Sequence, residues 1–377
     1  MFLGISTALL MLFRFCTAQS DALSNDFINS INAAQSSWRA AKVWPENTTE
    51  EFLSGLSGAV DPETYRHEYK SKNDHRTQFR DDSIPIEFDA RKKWPKCQSI
   101  GKARHQGKCG SCWALAVAAA FTDRMCIAVD QEHDFDYSTE DILGCCGSQC
   151  LLSNNICGGG RVEFAWRFVQ DEGVVTGGEY RSKEGCKPYS EETYKDHDPP
   201  PCERYCSNEI YTQQYATDKR YIRNMIIQTD GNVEAIQHEI MENGPVVAHM
   251  EVWTDFETYS SGVYVCTTLG RMRKALHAVK LIGWGREHSL KYWLGVNSWG
   301  SQWGDKGTFK IKRGDNHCRI EKGIMTAVVD PRGKINIKTW QKGAKVTTSK
   351  PSNSTSSGIR LSPFHFVIFV IILTLKS

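Results

Sequence analysis

The chain has 377 residues, 46 Lys+Arg against 44 Asp+Glu, and a formal net charge of +2. That length supports a sizeable core or two half-domains sharing one cleft. The charge is near zero and no Lys/Arg run resembles a nucleic-acid footprint, so no nucleic-acid partner is expected.

Residues 1–18 carry an apolar stretch (Leu9, Leu10, Met11, Leu12, Phe13, Phe15) ending in Thr17-Ala18. This is the pattern of a secretory signal peptide cleaved after Ala18; the competing reading is a buried N-terminal helix. Farther on, Phe27, Ile28, Ile31 and Trp38 are spaced in a way that fits a flexible linker poorly. Asn47-Thr48-Thr49 and Asn353-Ser354-Thr355 are glycosylation sequons.

The next informative segment is Gln106-Gly107-Lys108-Cys109-Gly110-Ser111-Cys112-Trp113, followed by an Ala-rich run to Ile127 without Gly or Pro. That run predicts a strong helix with Cys112 on its first turn. Free amide N–H groups and the helix dipole favour negative charge there, which raises the thiolate fraction of a thiol. Gln106 is placed for its side-chain amide to help the Cys112 backbone N–H bind a developing oxyanion. The alternative for Cys109-x-x-Cys112, a redox dithiol, needs a βαβ context that the flanking sequence lacks.

Of the 14 cysteines, Cys16 falls in the signal, and the remaining odd number leaves one thiol outside any set of bridges. Cys145, Cys146, Cys150 and Cys157 have the density of a zinc site but no His at ligand spacing. No metal and no organic cofactor are therefore expected.

His277 lies in the apolar, strand-like run Lys274–Gly285, and Asn297 in Tyr292–Gly300. As neighbouring strands these would let Asn297 accept a hydrogen bond from the imidazole, with Trp299 shielding that bond from water. Alone, such a His is an ordinary core residue; with a thiol on a helix N-terminus it is a general acid–base. Beyond the last apolar run, a Ser/Thr-rich extension (331–358) leads into an apolar tail (359–377). The tail is too short to span a bilayer and fits a glycolipid (GPI) anchor signal, though it also reads as a plain extension.

The segment Cys109-Gly-Ser-Cys112-Trp113 is the local signature of papain and the cathepsins. With Asp89-Ala-Arg-Lys-Lys-Trp94-Pro, Cys145-Cys-Gly-Ser-Gln-Cys150, Asn243-Gly-Pro245 and Asp315-Asn-His-Cys318, residues 84–330 resemble cathepsin B. The resemblance implies an α+β, papain-like two-domain fold: a helical left domain (97–215), a β-barrel right domain (216–330) and an active-site cleft between them. It implies a monomeric cysteine protease that hydrolyses proteins and peptides through a Cys112 acyl-enzyme, with His277, Asn297 and Gln106 completing the catalytic set. Residues 19–83, with Trp38-Arg39-Ala40, resemble the inhibitory pro-segment that lies reversed in the cleft; cystatin-type inhibitors are implied as further partners. The implied bridges are Cys97–Cys126, Cys109–Cys157, Cys145–Cys202, Cys146–Cys150, Cys186–Cys206 and Cys266–Cys318, leaving Cys112 free. The implied location is the secretory pathway, lysosomal or extracellular, with membrane attachment if the tail is an anchor signal.

The chain also departs from that pattern. The stretch between Cys186 and Cys206 is shorter than the occluding loop of cathepsin B and lacks its His-His pair; His197 stands alone. His105 and Gln302 replace two carboxylates that anchor the loop. These losses predict an open cleft and mainly endopeptidase action, with Lys187, Lys195 and Arg204 as the competing carboxylate binders. Gly159 and Gly160 read as the wall where substrate backbone approaches, with an ordinary flexible turn as the competing reading. Val162, Ala278 and Gly323 are expected to line S2, where the resemblance implies that Gly323 replaces an acidic residue, favouring apolar over Arg side chains at P2. Trp299 is expected to border the substrate, and Leu276 to narrow the cleft. The competing reading, a catalytically silent binding or surface protein, is disfavoured because all four catalytic residues are retained.

Overall fold

The computed structural model describes residues 23–65, 84–129, 135–197, 199–228 and 231–331, which belong to one compact unit. The expected signal peptide, the Ser/Thr-rich extension and the apolar tail lie outside the described residues. Among the described residues no helix is long and apolar enough to cross a membrane.

The Ala-rich run forms the helix Cys112–Ala128, buried on every side from Cys112 to Cys126. Small side chains allow this, because neighbouring elements can approach its backbone all round. The helices Thr139–Cys145 and Val162–Asp171 pack beside it through Phe121, Ile142, Leu143, Ala165 and Trp166.

The second half is a sheet with strand order β1-β5-β8-β7-β6-β4-β9-β3, in which β2 adds to β6. The strands are β1 Trp38–Ala40, β2 Phe88–Asp89, β3 Tyr221–Gln228, β4 Val246–Trp253, β5 Tyr259–Tyr264, β6 Met272–Glu287, β7 Leu290–Val296, β8 Thr308–Lys312 and β9 Ile324–Asp330. Its core gathers Val246, Phe256, Trp293, Trp303, Phe309 and Ile311. The two runs that carry His277 and Asn297 are antiparallel neighbours, with Lys280 opposite Val296.

The N-terminal segment 23–65 is woven into this sheet. Ser24 caps the helix Asn25–Ala34 by accepting from the Phe27 N–H, and β1 pairs antiparallel with β5. Phe27, Ile28, Ile31 and Trp38 are all buried, and Trp38 Nε1 donates to the Val265 carbonyl at 2.9 Å.

Among the described residues there are five disulfides: Cys97–Cys126, Cys109–Cys157, Cys145–Cys202, Cys146–Cys150 and Cys186–Cys206. The expected Cys266–Cys318 bridge is not formed; both are free thiols, as is Cys112. The two sulfurs and a His317 ring nitrogen lie within 4.8 Å of one another. Left-handed backbone at Asn316, Cys318 and Arg319 turns Cys318 into the core, while His317 Nε2 accepts from the Cys266 amide at 3.0 Å. A thiol–thiol hydrogen bond takes the place of the covalent link, holding the Cys318 thiol up and the Cys266 thiol down at about 5.

Two buried charge sets join the helix to the sheet. Asp123 meets Lys280 of β6 at 2.6 Å, both almost fully buried. Arg124 pairs with Glu239 at 2.8 Å and donates to the carbonyls of Pro245, Gly244 and Ala327. Burial pushes the Asp123 carboxyl up and the Lys280 ammonium down, so each depends on the other to stay charged. Lys280→Met is expected to lower unfolding free energy by about 3–5 kcal/mol in urea titration, with most of it recovered in Asp123→Leu/Lys280→Met. A single-variant loss below about 1 kcal/mol excludes this pair as the tie between the halves.

Candidate active site

Cys112 opens its helix with no side-chain cap from Ser111, so the Cys112 and Trp113 amides are left to act on the thiol. The Ser111 hydroxyl is engaged instead with the Tyr189 hydroxyl at 2.8 Å. The disulfide Cys109–Cys157 and the close pass of Gly110 over the Cys157 carbonyl fix the loop before the helix; a Cβ on Gly110 would lie 2.5 Å from that oxygen. The sulfur is fully buried, and burial raises the thiol's pKa against several backbone N–H groups that lower it.

The orientation of Gln106 is set from both ends. Ser298 Oγ donates to Oε1 at 2.7 Å, which fixes the amide so that Nε2 faces the cleft. Nε2 donates to the Cys109 carbonyl at 2.8 Å and to the Leu56 carbonyl at 3.1 Å. Ser298 carried no signal of its own in the sequence beyond adjacency to Asn297.

His277 meets Asn297 at 2.7 Å, Nε2 to Oδ1. The same Oδ1 accepts from the Ser298 amide at 2.8 Å, which identifies it as the oxygen and makes Nε2–H the donor. The neutral ring therefore holds its lone pair on Nδ1, a buried atom with no hydrogen-bond partner. Trp299 lies 4.9 Å from the imidazole, centroid to centroid, and is itself buried. Burial drives the His277 pKa down to about 4, against upward pulls from Asn297 and the Leu56 carbonyl.

The N-terminal segment crosses this site with its backbone. The Gly58 amide points at Cys112 Sγ at 3.4 Å, and the Ala59 amide donates to the Leu276 carbonyl at 2.8 Å. The Val60 amide donates to the Gly160 carbonyl at 3.0 Å, and the Gly160 amide to the Gly58 carbonyl at 2.8 Å, in a parallel pairing. No side chain fits at these crossings: a Cβ on Gly58 would lie 2.0 Å from the Gly110 oxygen, and one on Gly159 (φ +101°) 2.6 Å from the Gly58 oxygen. Leu276, expected to narrow the cleft, contributes its carbonyl to this pairing.

Val162 and Ala278 are buried in one core with Cys112. Gly323 (φ +74°) faces Pro62: a Cβ there would lie 3.3 Å from Pro62 Cγ and 3.5 Å from His249 Nδ1. His249, which sequence reasoning missed, sits opposite Ala278 in the β4–β6 ladder and bonds Gly323 O at 2.9 Å through Nδ1. Its burial pushes the imidazole down to about 4. An ordinary-looking β-strand sequence gave no reason to single it out. Of the competing carboxylate binders, Lys187 pairs with Asp141 at 3.3 Å, Lys195 with Glu191, and Arg204 with Glu172 at 3.9 Å. His197 is exposed, and His105 packs against Tyr194 at 5.2 Å.

Residues 84–328 match the family described as "Papain family cysteine protease". The chain is 38% identical over 325 residues to "Cathepsin B-like cysteine proteinase 6" of Caenorhabditis elegans, covering 81% of this chain and 83% of that relative. It is 42% identical over 260 residues to "Cathepsin B-like cysteine proteinase 2" of Haemonchus contortus, covering 66% and 74%. Among solved structures it is similar to "proCathepsin B S9 from Trypanosoma congolense", with TM-score 0.69, 29% identity and coverage of 82% of this chain and 99% of that one. Digestive procathepsin L2 of Tenebrio molitor, at TM-score 0.57 and 22% identity over 80% of this chain and 87% of that one, shares the fold.

Gln106→Ala is expected to lower kcat by about 10²–10³-fold with little change in KM, read by steady-state hydrolysis of a capped peptide after removal of residues 19–83. An effect confined to KM rules out an oxyanion role for Gln106. A second expectation concerns pH. With His277 and His249 held near 4 in the closed chain and returning toward ~6.5 when exposed, opening takes up protons. Closure is therefore most stable above pH ~6.5 and weakens as pH falls toward 4, by up to tenfold per unit for each histidine. In full-length Cys112→Ser, hydrogen-exchange protection of the Ala59 and Val60 amides, corrected for intrinsic rates, should fall from pH 6.5 to 4.5. Constant protection rejects this linkage.

Proposed function

The chain belongs to the papain family of cysteine proteases and is cathepsin B-like, and on that premise we propose that it is a zymogen of a cysteine endopeptidase. The observation that carries the reading is the segment backbone lying on Cys112 while its Leu56 carbonyl occupies the Gln106 amide. A peptide carbonyl held by that donor beside an unbridged thiol is the arrangement an acyl transfer needs. The parallel pairing at Gly160 gives the segment one chain direction through the cleft; the antiparallel direction is assigned to substrates, so residues 19–83 block without being cut.

In the proposed reaction, removal of the segment returns water to the site. Cys112 and His277 then exchange a proton to give thiolate and imidazolium. The thiolate attacks the scissile carbonyl, and the oxyanion is bound by Gln106 Nε2 and the Cys112 N–H. His277 gives its proton to the leaving amine through Nδ1, the edge not held by Asn297, and later takes one from the water that cleaves the thioester. Trp299 keeps solvent from the His277–Asn297 bond.

Endopeptidase action is favoured because Lys187, the buried cation of the described 187–204 stretch, is committed to Asp141. Lys195 and Arg204 are surface side chains that pair with Glu191 and Glu172. S2, assigned to Val162, Ala278 and Gly323, lacks an acid at its base and should take apolar or aromatic P2 side chains in preference to Arg. Routing through the secretory pathway accords with the five disulfides.

The test is kinetic. Mature enzyme, its active fraction titrated by an epoxysuccinyl thiol probe on Cys112, should cut end-capped peptides at least about tenfold faster than it releases dipeptides from free C-termini, and P2 Leu or Phe faster than P2 Arg. Equal rates on the two substrate types overturn the endopeptidase assignment, P2 Arg preference overturns the pocket assignment, and failure to label Cys112 leaves the catalytically silent reading in its place.

A further inference from the structure

One ion pair from the N-terminal segment lies beside the assigned S2 pocket. Arg319 holds the Asp61 carboxylate through two contacts, Nη1 to Oδ2 at 2.6 Å and Nη2 to Oδ1 at 3.2 Å. This two-pronged geometry is what guanidinium and carboxylate adopt when position as well as charge is recognised. The next residue, Pro62, rests over Gly323. Arg319 and Gly323 are the two ends of one turn, in which the Lys322 amide donates to the Arg319 carbonyl at 3.1 Å.

Asp61 has a local role as well, since Oδ1 accepts from the Glu63 N–H at 3.0 Å and so caps the short Pro62–Thr64 turn. A cap needs no partner across the cleft; the Arg319 contact is additional to it. His249 adds to the same corner: its Nε2 is buried without a hydrogen-bond partner while Nδ1 is fixed on Gly323 O. Asp61 and Arg319 are both close enough to act on its charge. Glu251 acts on Arg319 from longer range and remains when the segment leaves; Asp61 and Glu63 depart with it.

We propose that Arg319 is a specificity-determining residue of this cleft: once Asp61 has left, its guanidinium binds the carboxylate of an acidic P2 side chain. This rests on the reading that residues 19–83 are removed and that Val162, Ala278 and Gly323 bound S2. It deepens that reading, because the apolar wall takes the methylenes of a glutamate while Arg319, at the mouth, takes its charge. The Arg319 side chain is 31% exposed when Asp61 occupies it, so a carboxylate that takes the same seat is screened less than in a fully exposed pair.

The experiment uses mature enzyme and two capped peptides identical except for Glu or Gln at P2, at pH 6 where the glutamate is ionised. The expected ratio of kcat/KM, Glu over Gln, is about tenfold at low salt, falling as NaCl is raised. Arg319→Gln should bring the ratio to about one, and Arg319→Lys should retain part of it, since a point charge keeps attraction but loses the fork. Arg319→Asn, a residue tolerant of the left-handed backbone at this position (φ 59°), guards against a folding artefact. Each ratio is internal to one enzyme sample and needs no comparison of absolute rates. A wild-type ratio near one, or a ratio unmoved by all three substitutions, overturns the role of Arg319 while leaving the protease reading intact. A mature chain that neither labels at Cys112 nor hydrolyses either peptide overturns both.

Discussion

The proposed site depends on one constraint: a sulfur on the first turn of a buried helix must stay unbridged while a strand of the other half carries the imidazole that is to serve it. Neither half can satisfy this alone. The helix supplies amides that favour a thiolate, and the β6–β7 ladder supplies an imidazole whose tautomer is fixed by Asn297. What holds them in register is a buried seam, Asp123 on Lys280 and Arg124 on three carbonyls and Glu239. Charges so placed gain little net stability over an apolar seam, but they fix where the two halves meet, because either ion left alone is costly.

In the proposed zymogen the burial that silences the pair is lifted when the segment is removed. Under the N-terminal segment the thiol is pushed up and the imidazole down, so the pair sits in its neutral, unreactive form. Once the segment has been cleaved away, the site itself needs no further covalent change, only water. The block is made by backbone: Gly58 passes where no side chain fits, and its neighbours bond to Leu276 and Gly160 through amides and carbonyls. Backbone contacts place few demands on sequence, which explains why residues 56–60 (Leu-Ser-Gly-Ala-Val) read as unremarkable.

That contrast describes how much could be read from the sequence. The helix from Cys112, the two strand-like runs carrying His277 and Asn297, and the buried face of Phe27, Ile28, Ile31 and Trp38 were legible because each is a local pattern of small or apolar residues. Ser298, Leu56, His249 and Arg319 were not, because their significance lies in partners 192, 50, 74 and 258 residues away. Cys266 and Cys318 show the opposite error. Resemblance joined them, whereas left-handed backbone around residue 318 and the neighbouring His317 leave two thiols in hydrogen-bonded contact.

Gly323 shows how a single position can set several properties at once. Its φ of +74° lies where a side chain is strained, so glycine both removes any carboxylate from the pocket base and relieves the backbone. The missing side chain leaves room for Pro62, which brings Asp61 within reach of Arg319. Its carbonyl, free of a shielding side chain, accepts from His249 and leaves that ring's other nitrogen unpaired. An acidic side chain at 323 would reverse each of these effects: it would compete with Asp61 for Arg319, crowd Pro62 and offer His249 a charged partner. The sign of the charge around the proposed S2 pocket would therefore be set jointly by 323, 319 and 249, and no one of these residues reveals it alone.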